Sequence, residues 1–164
     1  MGSAKPSEPS NEPGVTQEGR SSQTMPTSGP SVRPARTGRV LVIDDEVAVS
    51  RTIQRLLGDR HDVVILTSGL EALIMLEGGE AFDLVLCDMS MPEVSGIELY
   101  NRAVSARPEL ADRFVFMTGG TFTAAAREFL EKSSNRRIEK PFDVDRLRAI
   151  VRDGVERVVG KPVL

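Results

Sequence analysis

The 164-residue chain reads as an α/β domain on a five-stranded parallel sheet with helices on both faces, preceded by a segment of different composition. Three observations lead there. Short apolar runs alternate with helix-like stretches five times, at intervals of about 25 residues, which is the pattern of consecutive βα units. The strongest runs are continuous rather than alternating in polarity, as in strands covered on both faces. They also end on groups able to do chemistry: Asp44-Asp45, Asp88, Thr118-Gly119-Gly120 and Lys140-Pro141. These are the carboxyl ends of strands, beyond which open α/β sheets carry their ligands.

Strand one is placed at 40–43, the run Val-Leu-Val-Ile that stops on Asp44-Asp45. Helix one follows, with Val49, Ile53, Leu56 and Leu57 at i, i+4, i+7 and i+8 on one face and Gly58 closing it. Strand two is placed at 62–66. Helix two opens on Ser68 with Glu71 three residues on, a capping-box pair, and closes at Gly78. Strand three, 83–87, is the run Leu84, Val85, Leu86 and Cys87 that stops on Asp88. Helix three starts at Ser95 and Glu98 after a Met-Pro turn and fades before Pro108. Strand four is placed at 113–117, helix four at about 123–132, strand five at 136–139. Helix five begins at Asp143 and carries Leu147, Ile150, Val151, Val155 and Val158 before Gly160. The expected strand order is the flavodoxin-like 2-1-3-4-5. It sets strands one and three side by side, and with them Asp44, Asp45 and Asp88.

Residues 1–38 differ from the rest. Six of the ten prolines fall there among Ser, Thr, Gly and Glu, with no aromatic residue. Such a segment buries too little apolar surface to offset about 1–2 kcal/mol of backbone entropy per ordered residue. The expected organisation is a disordered arm or linker at 1–38, a domain at 39–160 and a short tail at 161–164. A net charge of -3 and the lack of a basic-aromatic patch argue against direct nucleic-acid binding. No run is long enough to insert in a membrane and no signal peptide is present, so the cytoplasm is the expected location. Cys87, the single cysteine, reads as a core residue, and His61, the single histidine, as a surface turn residue with no phosphodonor role.

Two carboxylates about 4–5 Å apart repel by about 3–4 kcal/mol at an effective dielectric near 20. Three in one crevice raise one another's pKa or demand cations. Mg²⁺ meets that demand, taking one or two carboxylates while leaving positions for phosphate oxygens. Asp44, Asp45 and Asp88 with Mg²⁺ and the Lys140 ammonium make a charge-balanced set. It leaves one oxygen of Asp88 free to act as a nucleophile toward phosphorus. Phosphorylation would leave the site with surplus negative charge, and the Thr118 hydroxyl is suited to move in and donate to it, with Gly119 and Gly120 letting the loop follow. Taken singly, each feature has a plainer reading. Asp44-Asp45 can cap helix one, and Lys140-Pro141 can be an ordinary turn. Their convergence on equivalent strand ends is what favours chemistry.

These residues resemble, in order and spacing, the receiver domain of two-component response regulators. The matching pieces are the hydrophobic strand into Asp44-Asp45, the segment LVLCDMSMPEVSG with Asp88 and Gly96, Thr118-Gly119, and Lys140-Pro141-Phe142. The resemblance implies phosphorylation at Asp88. It implies Mg²⁺ held by Asp45, Asp88 and the Ser90 carbonyl, with Asp44 acting through water. It further implies Lys140 on the phosphoryl group, Thr118 as the switch hydroxyl and a cis peptide before Pro141. The donor it implies is a histidine on a sensor kinase or a histidine phosphotransfer protein. The output it implies is phosphorylation-dependent protein contact through the helix 4–strand 5–helix 5 face. Such a module labels and unlabels itself rather than turning over substrate. The Pro/Ser-rich arm also fits a receiver joined to a hybrid kinase.

One position departs from the family. Three residues before the Lys, where an aromatic ring is common, stands Arg137. It is either a charged switch contact or a solvated edge residue. Two alternatives from other classes remain at this point. One is a haloacid-dehalogenase-like phosphatase, against which stand Ser90 two residues after Asp88 and Val47 two after Asp45, where a second Asp belongs. The other is a receiver kept as an unphosphorylated docking module.

Overall fold

The structure, a computed structural model, describes residues 37–159; the arm and the tail expected at the two ends lie outside them but for Thr37 and Gly38. Gly38 is already part of the fold, its N–H donating to His61 Nδ1 and its carbonyl accepting from the Asp62 N–H. Five strands, β1 (Arg39–Ile43), β2 (Asp62–Leu66), β3 (Leu84–Asp88), β4 (Phe114–Thr118) and β5 (Arg136–Glu139), alternate with α1 (Val47–Leu57), α2 (Gly69–Glu77), α3 (Gly96–Ala106), α4 (Ala124–Lys132) and α5 (Val144–Val159). All strand pairs are parallel and the order is β2-β1-β3-β4-β5, as expected.

Side chains of a strand point alternately to opposite faces, and here both faces are apolar. Leu41, Ile43, Val85, Cys87, Phe114 and Phe116 pack against α2, α3 and α4. Val40, Val42, Leu84, Leu86, Val115 and Met117 pack against α1 and α5. Every residue of β3 and β4 is buried, whereas the edge strand β2 is mostly half-buried and the edge strand β5 buries only Ile138. Tyr100 of α3 sets its ring edge-on to Phe114, Phe116 and Phe129, with centroids 5.2–5.5 Å apart, tying α3 and α4 to β4.

Helix starts follow the sequence. Ser68, Ser95 and Thr123 each accept a hydrogen bond at the side-chain oxygen from the N–H three residues on. Two strands are displaced by one residue from expectation. β3 and β4 each begin one residue later and end on Asp88 and Thr118, so these groups belong to the ladder rather than to the loops after it. A 3₁₀ turn, Pro108–Arg113, not expected from the sequence, leads into β4.

Candidate functional site

The parallel register builds the site. Ile43 of β1 pairs with Cys87 of β3, so Asp44 and Asp88, the next residue on each strand, are neighbours. Asp88 in turn pairs with Met117, and Thr118 with Glu139. Asp44, Asp88, Thr118 and Lys140 therefore stand together at the carboxyl ends of four strands. Asp44 is fully buried, Asp88 is buried but for a few per cent of its surface, and Asp45 faces solvent. One carboxylate oxygen from each of the three lies within 4.8 Å of the others.

Lys140 reaches into this cluster. Its Nζ lies 2.5 Å from Asp44 Oδ2 and 3.3 Å from Asp88 Oδ1, with Glu46 Oε1 at 3.9 Å. Its N–H also donates to the Thr118 carbonyl, fixing the two strand ends together. The Lys140–Pro141 peptide is cis. Burial pushes the Asp88 carboxyl above the ordinary range; Lys140 opposes this, and the negative charges of Asp44 and Asp45 add to it. Burial works against the Lys140 ammonium, but its hydrogen bond to Asp44 and the charges of Asp88 and Asp44 outweigh that, and its pKa is raised.

Asp44 does not cap α1. Its Oδ1 accepts from the Glu46 N–H at 2.9 Å and its own carbonyl accepts from Ser50, which locks the turn between β1 and α1. The Thr118 hydroxyl, also buried, donates a long bond of 3.3 Å to the Ile138 carbonyl. After it the chain turns through Gly120 at φ +73°, a left-handed conformation that costs glycine nothing. Ser90 is exposed in the loop after β3. Gly96 lets α3 begin hard against that loop, because a Cβ there would stand 2.4 Å from the Asp88 carbonyl oxygen.

Arg137 is exposed on β5, paired with Phe116 in the ladder, and its side chain makes no ion pair or hydrogen bond among the described residues. Cys87 is fully buried and burial raises its thiol pKa, as suits a core residue. His61 is held in the turn before β2 and its pKa is lowered, first by burial. Among the described residues, Glu46 is a further acid, 3.9 Å from the Lys140 ammonium. Its only signal in the sequence is that it continues the acidic run after Asp45.

The donors are all oxygen, carry negative charge and converge, so the residues fit a hard divalent cation rather than a thiolate- or imidazole-seeking one. Asp44, Asp45 and Asp88 are the residues that could hold it, Asp44 lying closest to Lys140.

The sequence profile of the response regulator receiver domain matches residues 40–152. The transcriptional regulatory protein ZraR of Klebsiella oxytoca is 33% identical over 110 residues, which are 66% of this chain and 24% of ZraR. The sensor kinase CckA of Brucella abortus is 33% identical over 121 residues, 72% of this chain and 12% of CckA. The chain thus spans a quarter or less of these two relatives. A CheY-like receiver domain structure from Methanospirillum hungatei superposes with a TM-score of 0.65 at 24% identity, covering 75% of this chain and 97% of that one, and shares the fold. With a profile match running through β1 to α5 and the fold to go with it, the chain belongs to the response regulator receiver domain family, the signalling modules of two-component systems.

Proposed function

We propose that this receiver accepts one phosphoryl group on Asp88 from a phosphohistidine of a partner kinase or phosphotransfer protein, and passes the signal on by protein contact. The observation that carries the proposal is the bridging position of Lys140 between Asp44 and Asp88, beside the three converging carboxylates. In the transfer, the Asp88 oxygen forms the new P–O bond as the P–N bond breaks. The electron pair leaves on the imidazole nitrogen, which takes up a proton.

Mg²⁺ bound by Asp45, Asp88 and the Ser90 carbonyl, with Asp44 in support, would supply positive charge to the phosphoryl oxygens. Lys140 supplies it from the protein's own side. Phosphorylation replaces one negative charge by about two, and Lys140 is drawn toward the phosphoryl group. Thr118 then exchanges its long bond to Ile138 for a charge-assisted one, which is shorter and about twice as strong. That exchange moves the β4–α4 connection and alters the α4–β5–α5 face. With no ring at position 137, the exposed Arg137 presents a charge on that face for the downstream partner to meet.

The test is uptake of one phosphoryl group from acetyl phosphate with Mg²⁺, followed by intact mass. Asp88→Asn is expected to abolish the adduct, and removal of Mg²⁺ with a chelator to suppress it. Equal labelling of wild type and Asp88→Asn refutes the site.

A further inference from the structure

α2 carries more apolar surface than the fold uses. Of its nine residues, Gly-Leu-Glu-Ala-Leu-Ile-Met-Leu-Glu, the core takes Gly69, Ala72, Leu73 and Leu76. Leu70 and Ile74, one turn apart, point to solvent at 47% and 63% exposure. The other exposed large aliphatics among the described residues, Val47 and Val144, stand singly at the first residues of α1 and α5. Elsewhere the outward positions of α1, α3 and α5 are charged, amide, hydroxyl or small, as on a solvated helix. At 100° per residue, Ile74 lies at the centre of the outer face of α2, with Leu70 beside it, Glu77 on one flank and Glu71 on the other. No basic residue lies on this helix. Among the described residues, Arg102 of α3 lies 3.8 Å from Glu77 across an exposed gap, and the Arg107 guanidinium donates to the Leu76 carbonyl at the end of α2.

From this ridge we infer a docking site for an amphipathic helix of a partner protein, with aliphatic residues at i, i+3 or i+4 and Lys or Arg on both flanks. A helix is the matching shape, because a ridge of i, i+4 side chains fits the groove between such rows on another helix. The charge selects among occupants. A second copy of this chain would bring Glu71 and Glu77 against their own kind, and an anionic lipid surface would meet the same repulsion. A basic-flanked helix meets Glu71 on one flank, competes with Arg102 for Glu77 on the other, and buries both aliphatics. The site is separate from the phosphoacceptor chemistry but mechanically close to it. Gly69, the first residue of α2, packs against Val94 and Met91 of the loop after Asp88, where a Cβ would stand 3.0 Å from the Val94 carbonyl oxygen.

The test uses the full chain and two four-turn helical peptides with leucines along one face, flanked either by lysines or by glutamates. Binding is followed by fluorescence anisotropy and by amide shifts in NMR spectra. The lysine peptide is expected to bind about tenfold more tightly, a difference of about 1.4 kcal/mol, and to shift the amides of α2. Ile74→Lys is expected to weaken it about tenfold with an unchanged melting curve, since the side chain touches little of the core. Glu71→Lys/Glu77→Lys is expected to invert the preference. Equal affinities, shifts confined to other helices, or a wild-type dimer in sedimentation that Ile74→Lys dissolves would each overturn the assignment.

Discussion

The Asp88 carboxyl stands in a place that resists charge. It is buried beside two further carboxylates, and Lys140 compensates only in part, so its pKa is raised. The folded chain therefore binds this proton at higher pH than the unfolded chain does. Between the two pKa values the native state carries more protons, so stability falls as pH rises there. The stability tied to this proton is complete below the unfolded carboxylate pKa and is lost as pH rises through the raised native value. In metal-free buffer, Asp88→Asn is expected to flatten that acid-side slope and to melt above the wild type at neutral pH. A lower melting temperature for the variant would mean that attraction to Lys140 outweighs burial and repulsion. A second residue stores strain of another kind. Glu93 adopts φ +66° at the centre of a tight turn closed by Val94 N–H to the Pro92 carbonyl at 2.8 Å. An L-residue in that region pays about 1–2 kcal/mol, part of which glycine returns as unfolded-state entropy. Glu93→Gly is expected to stabilise the domain by about 0.5–1 kcal/mol in urea denaturation, and a loss of stability would refute the strain. The residues of the acidic cluster were legible as strand-end polar groups. The turn at Glu93 was not, because nothing about a glutamate marks a left-handed conformation that its neighbours impose.

At the scale of elements, the helices were legible where their starts are capped, as at Ser68, Ser95 and Thr123, because a hydroxyl satisfying a free N–H is a local device written in the sequence. The strand limits were less so. An apolar run marks where a strand is buried, but backbone pairing continues past it, which is how Asp88 and Thr118 come to lie within β3 and β4. The 3₁₀ turn Pro108–Arg113 left no periodicity to read, since it buries only Leu110. The junction between β3 and α3 yields the sharpest expectation. A methyl on residue 96 would meet the Asp88 carbonyl oxygen at 2.4 Å and Met89 Cα at 2.9 Å, both backbone atoms that cannot rotate aside. Gly96→Ala is expected to cost about 1–3 kcal/mol and to slow phosphoryl uptake by shifting Asp88. Unchanged denaturation and unchanged uptake would show that the loop absorbs the methyl freely.

Over the whole molecule, the sheet order was legible because three of the five strands read as apolar on both faces, which leaves a parallel sheet between two helical layers as the arrangement that buries them. What the sequence did not disclose is which carboxylate Lys140 would take. The structure sets it closest to the fully buried Asp44, with Asp88 also in reach, and leaves Asp45 facing water, so the ammonium bridges the two inner acids while the outermost stays open to a cation. That division predicts a linkage between metal and fold. A cation that binds the native cluster and not the unfolded chain stabilises the domain by RT ln(1 + [L]/Kd), about 1.4 kcal/mol at ten times the dissociation constant. For a domain of this size that corresponds to a rise in melting temperature of about 5 °C. Magnesium is expected to produce that rise in wild type, Asp45→Ala to remove most of it, and Lys140→Met to keep it, because the lysine competes with the metal for the same negative charge. The wild-type rise persisting in Asp45→Ala would place the ion elsewhere, and its loss in Lys140→Met would show that the ammonium positions the carboxylates rather than competing for them.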